Sequence, residues 1–339
     1  MWCRILKRVR LRFAGMAIDF VDRGKAIQQV LEWVRGVVIQ PFVVFGPEGC
    51  GKSAWLRQAA EVLREQGFDV IYVDVLHREY AVHTDVKEVV EKLSDVVADA
   101  TGYPPVKLAN LVIMLVKDLL RKWREKRVAV LVDEVFQAIG LDKAEIYVKM
   151  LLNLIEYPPA DYEKIIAIAA TSEGVSRWRI GRHRWAEITP IWNMPRKGFE
   201  ELYEKVPGPK PSFDEVWRLT GGNPFTLEQL HQAKWDINRV TESITKSKGL
   251  TRDFVKKWRQ HLIDVVDDPD ALVEKEVPEE LKAMLIEKNL VVYDLYSRNP
   301  ELWVDEPPPE RDPELGIGRH VAWQIPLHKE AVKRAIEKP

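Results

Sequence analysis

The residues best suited to chemistry are eight consecutive ones, Gly46-Pro47-Glu48-Gly49-Cys50-Gly51-Lys52-Ser53. They fit the pattern G-x-x-x-x-G-K-[ST], in which glycines let successive backbone N–H groups turn toward one point. The helix that follows such a loop adds the partial positive charge of its N-terminus. Lys52 would reach the β- and γ-phosphates, and the Ser53 hydroxyl would hold Mg²⁺. This phosphate loop, Gly46 to Ser53, predicts that the chain binds a nucleoside triphosphate.

The segments on either side of the phosphate loop support this interpretation. Residues 41–45 form a short apolar run typical of a buried parallel strand, and residues 54–66 have helical periodicity. Strand, glycine loop and helix is the order that phosphate binding requires, and Ala54 joins the predicted nucleotide-binding residues. The alternative is a glycine-rich turn that opens an ordinary helix.

A second candidate element is the apolar run 128–132, which is followed by Asp133 and Glu134. A buried strand that ends in Asp places this carboxylate at the carboxyl edge of the sheet, close to an ion on the phosphate loop. We therefore predict that Asp133 holds Mg²⁺ together with Ser53, and that Glu134 orients or deprotonates the attacking water. The alternative is a strand that leads into an acidic surface loop.

Another apolar run, residues 165–170, is followed by Thr171 and Ser172. A hydroxyl at the end of this strand would lie at the same edge of the sheet and could reach the γ-phosphate. Thr171 is taken as the binding residue. A plain strand-end Ser/Thr turn is an equally open interpretation for either hydroxyl.

The composition indicates a globular protein without a membrane span, since 46% of the 339 residues are hydrophobic and 30% are charged, with no long apolar run. The N-terminal residues 1–13 are basic but lack the apolar core of a secretory signal, and we interpret them as a solvated extension rather than an arm on nucleic acid. Two cysteines at unrelated positions predict neither a disulfide nor a metal site, which favours a reducing cytoplasm.

The net charge of −1 provides no global basic field for nucleic acid, and residues 250–339 carry 14 Lys and Arg against 19 Asp and Glu, a net charge of −5.

Strand-like and helical segments alternate up to about residue 190, which predicts a parallel α/β sheet. Further strands are expected at 70–75 and 186–189, and helices at 86–98, 107–126 and 144–155. Beyond residue 194 the pattern becomes helical, with helices at 197–205, 213–219 and 225–248, of which the second starts at a capping box of Ser212 and Glu215. From residue 251 we predict a smaller unit with helices 251–266, 278–288 and 328–337 and strands 290–296 and 320–325, which suggests a winged helix-turn-helix.

These motifs, together with Gly221-Gly222-Asn223-Pro224, resemble those of AAA-type archaeal ATPases of the STAND group of P-loop NTPases, which are similar to origin-recognition ATPases. The resemblance covers about residues 20–249. It implies a P-loop NTPase sheet of the AAA/ASCE type, with the phosphate-loop strand next to the strand that ends in Thr171, followed by a helical lid and a winged helix-turn-helix. The expected domains are 1–193, 194–249 and 250–339.

Three further residues take their expected roles from this resemblance. Asp22-Arg23 resembles the Asp-Arg box of the family, which implies that Arg23 lies beside adenine. Pro224 resembles the proline of the Gly-x-Pro motif, which packs near the base and couples the nucleotide to the lid. Arg182 resembles the arginine finger of the Gly-Arg turn, and a homo-oligomer would be required if this arginine acts in trans. The alternatives are a helix-breaking turn at Pro224 and a solvated or ion-paired turn at Arg182.

The function predicted from the sequence is an ATP-binding and ATP-hydrolysing AAA-type or STAND switch with Mg²⁺, in which Glu134, Lys52 and Arg182 are catalytic. The alternative is a non-hydrolysing, nucleotide-bound regulator that docks DNA or a protein through its C-terminal domain. A small-molecule kinase is a third interpretation. Glu134 behind Asp133 suits water activation better, and the C-terminal helices offer no recognisable acceptor pocket.

Overall fold

The computed structural model of the chain describes residues 7–77, 79–84, 91, 105–122, 127–172 and 176–337. The chain divides into two compact units. The first comprises Met1–Leu11, Gly24–Phe45 and Lys52–Thr189, and the second comprises Arg12–Arg23, Gly46–Gly51 and Pro190–Pro339. In the part of the chain that the structure describes, no helix is both long enough and apolar enough to cross a membrane.

The N-terminal segment differs from the predicted solvated extension. Strands β1 (Arg10–Phe13) and β2 (Met16–Asp19) form a two-stranded sheet. Ala14 and Gly15 connect them with φ values of 50° and 78°, and two successive positive φ values suit a tight hairpin turn. The segment before β1 is also bound to the protein, since the Gln58 side chain pairs with the backbone of Val9 and Lys7 at 2.9 and 2.8 Å.

The first unit contains a six-stranded sheet in the order β5-β4-β6-β7-β3-β8. Its strands are β3 (Phe42–Phe45), β4 (Asp69–Asp74), β5 (Glu79–His83), β6 (Arg127–Asp133), β7 (Lys164–Thr171) and β8 (Glu187–Pro190). Neighbouring strands among β4, β6, β7 and β3 run parallel, and β5 is antiparallel to β4. The pairing of β3 with β7 confirms that the phosphate-loop strand lies beside the strand that ends in Thr171. The antiparallel strand β5 was not predicted.

The helices of the first unit are α1 (Gly24–Arg35), α2 (Lys52–Glu65), α3 (Pro105–Lys122), α4 (Val135–Ile139), α5 (Leu141–Glu156) and α6 (Ser176–Ile180). Buried side chains of α3, α4 and α5 form one hydrophobic core with the central strands β4, β6 and β7. These strands are apolar on both faces because parallel strands are covered on both sides. Residues 86–90 and 92–98 of one predicted helix, and residues 123–126 at the end of the predicted helix 107–126, lie outside the described residues.

From Pro190 onward, the described part of the second unit is mainly helical and contains a small antiparallel sheet. Its elements are α7 (Arg196–Glu204), α8 (Phe213–Thr220), α9 (Pro224–Gln232), α10 (Ile237–Ser247), α11 (Arg252–Asp267), α12 (Ala271–Glu274), α13 (Glu279–Glu287), β9 (Val291–Tyr293), a 3₁₀ turn (Pro300–Leu302), β10 (Val321–Trp323) and α14 (Pro326–Glu337). The capping box of Ser212 and Glu215 opens α8, as predicted. Strands β9 and β10 pair with each other and are shorter than expected.

The single helix predicted for residues 225–248 is wrong, because the chain breaks between α9 and α10. Lys234 and Trp235 have positive φ values of 55° and 64°, which no α-helix accommodates. Asp236 then caps α10 by accepting a hydrogen bond from the Arg239 backbone N–H at 3.1 Å. One buried core runs from Leu230 on α9 to Val332 on α14. The domain bounds at 193 and 249, the lid and the winged helix stay predictions.

Candidate functional site

Asp133, the last residue of β6, is completely buried. The Ser53 side chain hydrogen-bonds its carboxylate, and the Tyr72 hydroxyl donates to Oδ2 at 3.2 Å. The other oxygen, Oδ1, is buried and has no hydrogen-bond partner among the described residues. Burial raises the pKa of Asp133 to about 6, and the Glu134 and Asp74 carboxylates add to this rise, while the Ser53 hydrogen bond opposes it. A cation beside Oδ1 would favour the charged form of this carboxyl group.

Lys52 and Ser53 are the first two residues of α2, so both lie where the helix dipole is positive. The Lys52 side chain is buried, and its charge acts to lower the pKa of Asp133. Mg²⁺ prefers oxygen ligands and is commonly held by one or two carboxylates together with phosphate oxygens and water. Within the described ranges, no group of three or more His, Cys, Asp or Glu side chains could hold a metal. The Ser53 hydroxyl and the partnerless Asp133 Oδ1 therefore fit an Mg²⁺ ion that arrives with phosphate.

Glu134 adopts the left-handed backbone conformation, with φ 47° and ψ 28°. This conformation costs a non-glycine residue on the order of 1–3 kcal/mol and is typical of functional sites. Its backbone N–H donates to the Ala170 carbonyl at 3.0 Å. Its carboxylate accepts hydrogen bonds from the Ser172 hydroxyl at 2.5 Å and from the Ser172 backbone N–H at 3.2 Å. The end of β7 thus fixes the backbone and the side chain of the predicted catalytic base.

The residues of the phosphate loop that belong to the second unit have backbone and side-chain partners there. Gly49 and Gly51 have φ values of 75° and 99°, which glycine adopts without strain. The Glu48 backbone N–H donates to Gln324 Oε1 at 2.9 Å, and its carboxylate pairs with Lys248 at 2.7 Å. The phosphate loop therefore contacts Gln324, which precedes α14, and Lys248, at the end of α10.

The segment Gly221–Pro224 also touches the phosphate loop. Asn223 is completely buried and caps α9 by accepting from the Thr226 backbone N–H at 3.0 Å. Its Nδ2 donates to the Glu48 carbonyl at 2.9 Å. Pro224 is the first residue of α9, and a Cβ built on Gly51 would lie 3.8 Å from its Cγ. This segment is more than a helix-breaking turn, although a contact of Pro224 with the base stays a prediction.

Arg23 is buried, and its guanidinium binds protein groups in the second unit. Nη1 pairs with Asp305 Oδ2 at 2.9 Å, in an ion pair whose side chains are 3% and 4% exposed. Nη2 donates to the Cys50 carbonyl at 2.6 Å and to the Trp192 carbonyl at 2.9 Å. Arg23 thus links the phosphate loop with two distant segments, and its contact with adenine stays a prediction.

The structure also describes three other residues that the sequence analysis predicted for the site. Thr171 is completely buried at the end of β7, where its strand partner is Phe45. Ala54 follows Ser53 on α2 and is half-buried. Arg182 is exposed in the turn after α6, and Arg179, within α6, is ion-paired with Asp142 at 2.9 Å. The arginine-rich segment is therefore partly ion-paired, and the roles of Thr171, Ala54 and Arg182 stay predictions.

Sequence reasoning missed three polar side chains that position the site. Tyr72 binds Asp133, and Gln324 binds Glu48. Asp74 ends β4 in register with Asp133 and accepts two hydrogen bonds from His77, both at 2.9 Å. Hydrogen bonding to Asp74 raises the pKa of His77. Asp74 could have been predicted by the argument used for Asp133, because it also ends a buried strand. No sequence pattern around Gln324 indicates its contact with Glu48.

Comparisons with known proteins gave a family match, similar solved structures and a partial match to a curated protein. A family model for an ATPase domain predominantly from Archaea matches residues 20–230. The Walker-type ATPase paby2304 of Pyrococcus abyssi has a similar structure, with 14% identity, a TM-score of 0.48, and coverage of 96% of this chain and 98% of that chain. The Aeropyrum pernix ORC1 protein, solved in complex with DNA, is 14% identical with a TM-score of 0.38, covering 94% of this chain and 92% of that chain. Cytoplasmic dynein 2 heavy chain 1 of Rattus norvegicus is 28% identical over 152 residues, which are 39% of this chain and 3% of that curated relative.

Proposed function

This chain belongs to the family of ATPase domains found predominantly in Archaea, and we propose that it binds ATP with Mg²⁺ and hydrolyses it. The observation that carries the proposal is the cluster of Lys52, Ser53, Asp133 and Glu134. In this cluster Ser53 is hydrogen-bonded to Asp133, whose Oδ1 is buried and lacks a partner. Family membership supports nucleotide binding, and the cluster supports hydrolysis.

The phosphate loop supplies the binding groups in this proposal. The backbone N–H groups of Gly49 and Gly51 and the Lys52 ammonium would bind the phosphates. Ser53 and Asp133 would hold Mg²⁺, which when bound neutralises charge that develops on the phosphate oxygens. In this proposal, these groups would orient the γ-phosphate.

Glu134 is the proposed general base. It would orient a water molecule and accept its proton as the water oxygen attacks the γ-phosphorus. The bond between the γ-phosphorus and the bridging oxygen would break, and ADP would leave. The two hydrogen bonds from Ser172 hold the Glu134 carboxylate in one orientation. Exposed Arg182 would be delivered to a neighbouring copy as an arginine finger, which would require a homo-oligomer.

We further propose that the nucleotide acts as a switch of the AAA or STAND kind on a helical lid, residues 194–249, and a winged helix, residues 250–339. Glu48 supports this step, because three groups beyond residue 194 bind it: Asn223 at its carbonyl, Gln324 at its N–H and Lys248 at its carboxylate. A phosphate that changes the conformation of the loop would change these contacts. The net charge of −5 over residues 250–339 favours a protein partner over nonspecific DNA binding.

A second candidate is a nucleotide-bound regulator that does not hydrolyse ATP on its own and docks DNA or a protein through the winged helix. The observation that favours it is the engagement of Glu134 with Ser172, because a carboxylate that already accepts two hydrogen bonds is less available to water. A partner that released Glu134 would then start turnover.

Phosphate release from ATP tests both candidates, with wild type beside Glu134→Gln and Lys52→Ala. Glu65→Gln is a matched control, since Glu65 is exposed at the end of α2. We expect Glu134→Gln to retain ATP affinity and lose turnover, Lys52→Ala to lose affinity, and Glu65→Gln to match wild type. Turnover of Glu134→Gln equal to wild type would overturn the proposed base. Tight binding without turnover in the wild type, with and without duplex DNA, would favour the regulator.

A further inference from the structure

A ring of hydrogen bonds surrounds the Asp133 carboxylate and includes a residue that no motif contains. Ser53 binds the carboxylate, and the Tyr72 hydroxyl donates to Oδ2 at 3.2 Å. Arg57 Nε in turn donates to the Tyr72 hydroxyl oxygen at 3.3 Å. Ser53 and Arg57 are four residues apart on α2, so they lie on the same side of that helix. The helix and the side chains therefore close the ring.

The sheet places Tyr72 at the right distance for this contact. Tyr72 on β4 is the register partner of Leu131 on β6, and Asp133 is two residues further along. Residues two apart on a strand share a face, so Tyr72 and Asp133 are diagonal neighbours about 7–8 Å apart, which an aromatic side chain can span. Tyr72 is buried, with 2% exposed, so its hydroxyl does not exchange this partner for bulk water.

The donor and acceptor capacities determine the direction of each hydrogen bond. A guanidinium only donates, and a tyrosine hydroxyl has one proton. Because Arg57 donates to the hydroxyl oxygen, the proton of Tyr72 points to Asp133 Oδ2. Arg57 itself is held by an ion pair with Glu79 on β5 and lies over the Tyr72 ring at 5.7 Å. These hydrogen bonds thus engage one oxygen of Asp133, while the other, Oδ1, has no hydrogen-bond partner among the residues that the structure describes.

We propose that Tyr72 is a positioning residue for the Mg²⁺ site, a role that rests on the proposed binding of ATP with Mg²⁺. Its hydroxyl fixes the orientation of the Asp133 carboxylate so that Oδ1 is presented as the ligand oxygen. Without the hydroxyl, Asp133 can rotate, and both of its oxygens compete for Ser53. Outer partners that orient a metal ligand are typically worth about 10–100-fold in metal affinity.

Tyr72→Phe tests the proposal in the full chain, and Tyr147→Phe is a matched control. Tyr147 is also buried in the first unit, and its hydroxyl has no hydrogen-bond partner in the described ranges. The binding of a fluorescent ATP analogue is titrated with MgCl₂ and repeated in EDTA. We expect Tyr72→Phe to raise the Mg²⁺ concentration at half-saturation about tenfold, the lower end of that range, and to leave binding in EDTA unchanged. Tyr147→Phe should match wild type in both measurements.

Arg57→Lys keeps a positive charge opposite Glu79 and removes the Nε donor, so it provides a second variant if Tyr72→Phe does not fold. We expect it to raise the half-saturating Mg²⁺ concentration about threefold, since the Tyr72 proton loses its fixed direction. If a folded Tyr72→Phe kept the wild-type Mg²⁺ dependence while Asp133→Asn lost it, the role of Tyr72 would be overturned and the Mg²⁺ site would stand. Absence of any Mg²⁺ dependence in the wild type would overturn the proposed ATP and Mg²⁺ site as well.

Discussion

Removal of one partner from the buried ion pair of Arg23 and Asp305 is expected to destabilise the second unit strongly. Its two charges are separated by 2.9 Å, with the side chains 3% and 4% exposed. Asp305→Asn removes only the negative charge, and Asn tolerates the positive φ of 68° at this position. An unpaired guanidinium would then stay buried, which costs about 3–5 kcal/mol in the free energy of unfolding.

A double-mutant cycle measured by urea denaturation of the full chain without nucleotide tests this magnitude. Arg23→Met and Asp305→Asn are measured singly and together, and we expect a coupling energy of about 2–3 kcal/mol. Glu242→Gln is the control, because the pair of Glu242 with Lys246 is 61% and 75% exposed. Its cost should stay below about 1 kcal/mol.

The same variants separate a structural role of Arg23 from the predicted contact with adenine. If Arg23 mainly bound adenine, Arg23→Met would lower ATP affinity and leave the nucleotide-free protein as stable as wild type. A cost of Asp305→Asn below about 1 kcal/mol, or a coupling energy near zero, would refute the argument from burial. We expect the stability loss because Arg23 also binds the Cys50 and Trp192 carbonyls, which would be left without this donor.

Three further outcomes follow from the structure. Burial lowers the pKa of His328 to about 3. Between pH 6.5 and 3 only the unfolded chain binds a proton at this residue, so the free energy of unfolding should fall about 2 kcal/mol more from pH 7 to 5 in wild type than in His328→Gln. The same pH dependence of the free energy of unfolding for both proteins, measured by urea denaturation, would contradict this. Gly318→Ala should lower the free energy of unfolding by more than about 2 kcal/mol in urea denaturation, because the new Cβ would lie 2.4 Å from Asp270 Oδ1. Gly24→Ala is the control and should be nearly neutral, because no atom lies within 4 Å of the Cβ position there. A similar loss for both variants would argue against a clash at Gly318. Ser172→Ala should lower kcat for ATP about tenfold with KM within about twofold, because the carboxylate of Glu134, the proposed base, becomes free to rotate. A higher kcat in steady-state assays would instead indicate that Ser172 restrains Glu134.

The central strands of the sheet and the charged residues that follow them could be predicted because the sequence patterns that indicate them are local. The apolar run before Asp133 and the glycines before Lys52 each lie within one segment, and parallel strands covered on both faces are apolar throughout. The resemblance to archaeal ATPases is confirmed by the family match over residues 20–230. The position of β3 beside β7 followed from that resemblance and is confirmed by the strand pairing.

The features that the sequence did not predict depend on contacts between distant residues or on unusual backbone conformations. Arg23 and Asp305 are 282 positions apart, and no pattern within either segment indicates the pair. The break before α10 depends on positive φ values at Lys234 and Trp235, residue types that carry no turn signal. The hairpin turn at Ala14 and Gly15 lacks the Asn-Gly or Asp-Gly pair that usually marks it.

Under the proposed function, the contacts of Glu48 would couple nucleotide binding to the C-terminal segments. Gln324 accepts from its N–H, and Asn223 donates to its carbonyl. If a phosphate changes the conformation of this loop, it changes the free energy of both hydrogen bonds. Linkage requires the reverse effect of equal size, so a partner that displaces Gln324 must change ATP affinity by the factor by which ATP changes the affinity for that partner. A C-terminal partner would therefore act on the phosphate loop directly, through one residue, rather than through the catalytic carboxylates.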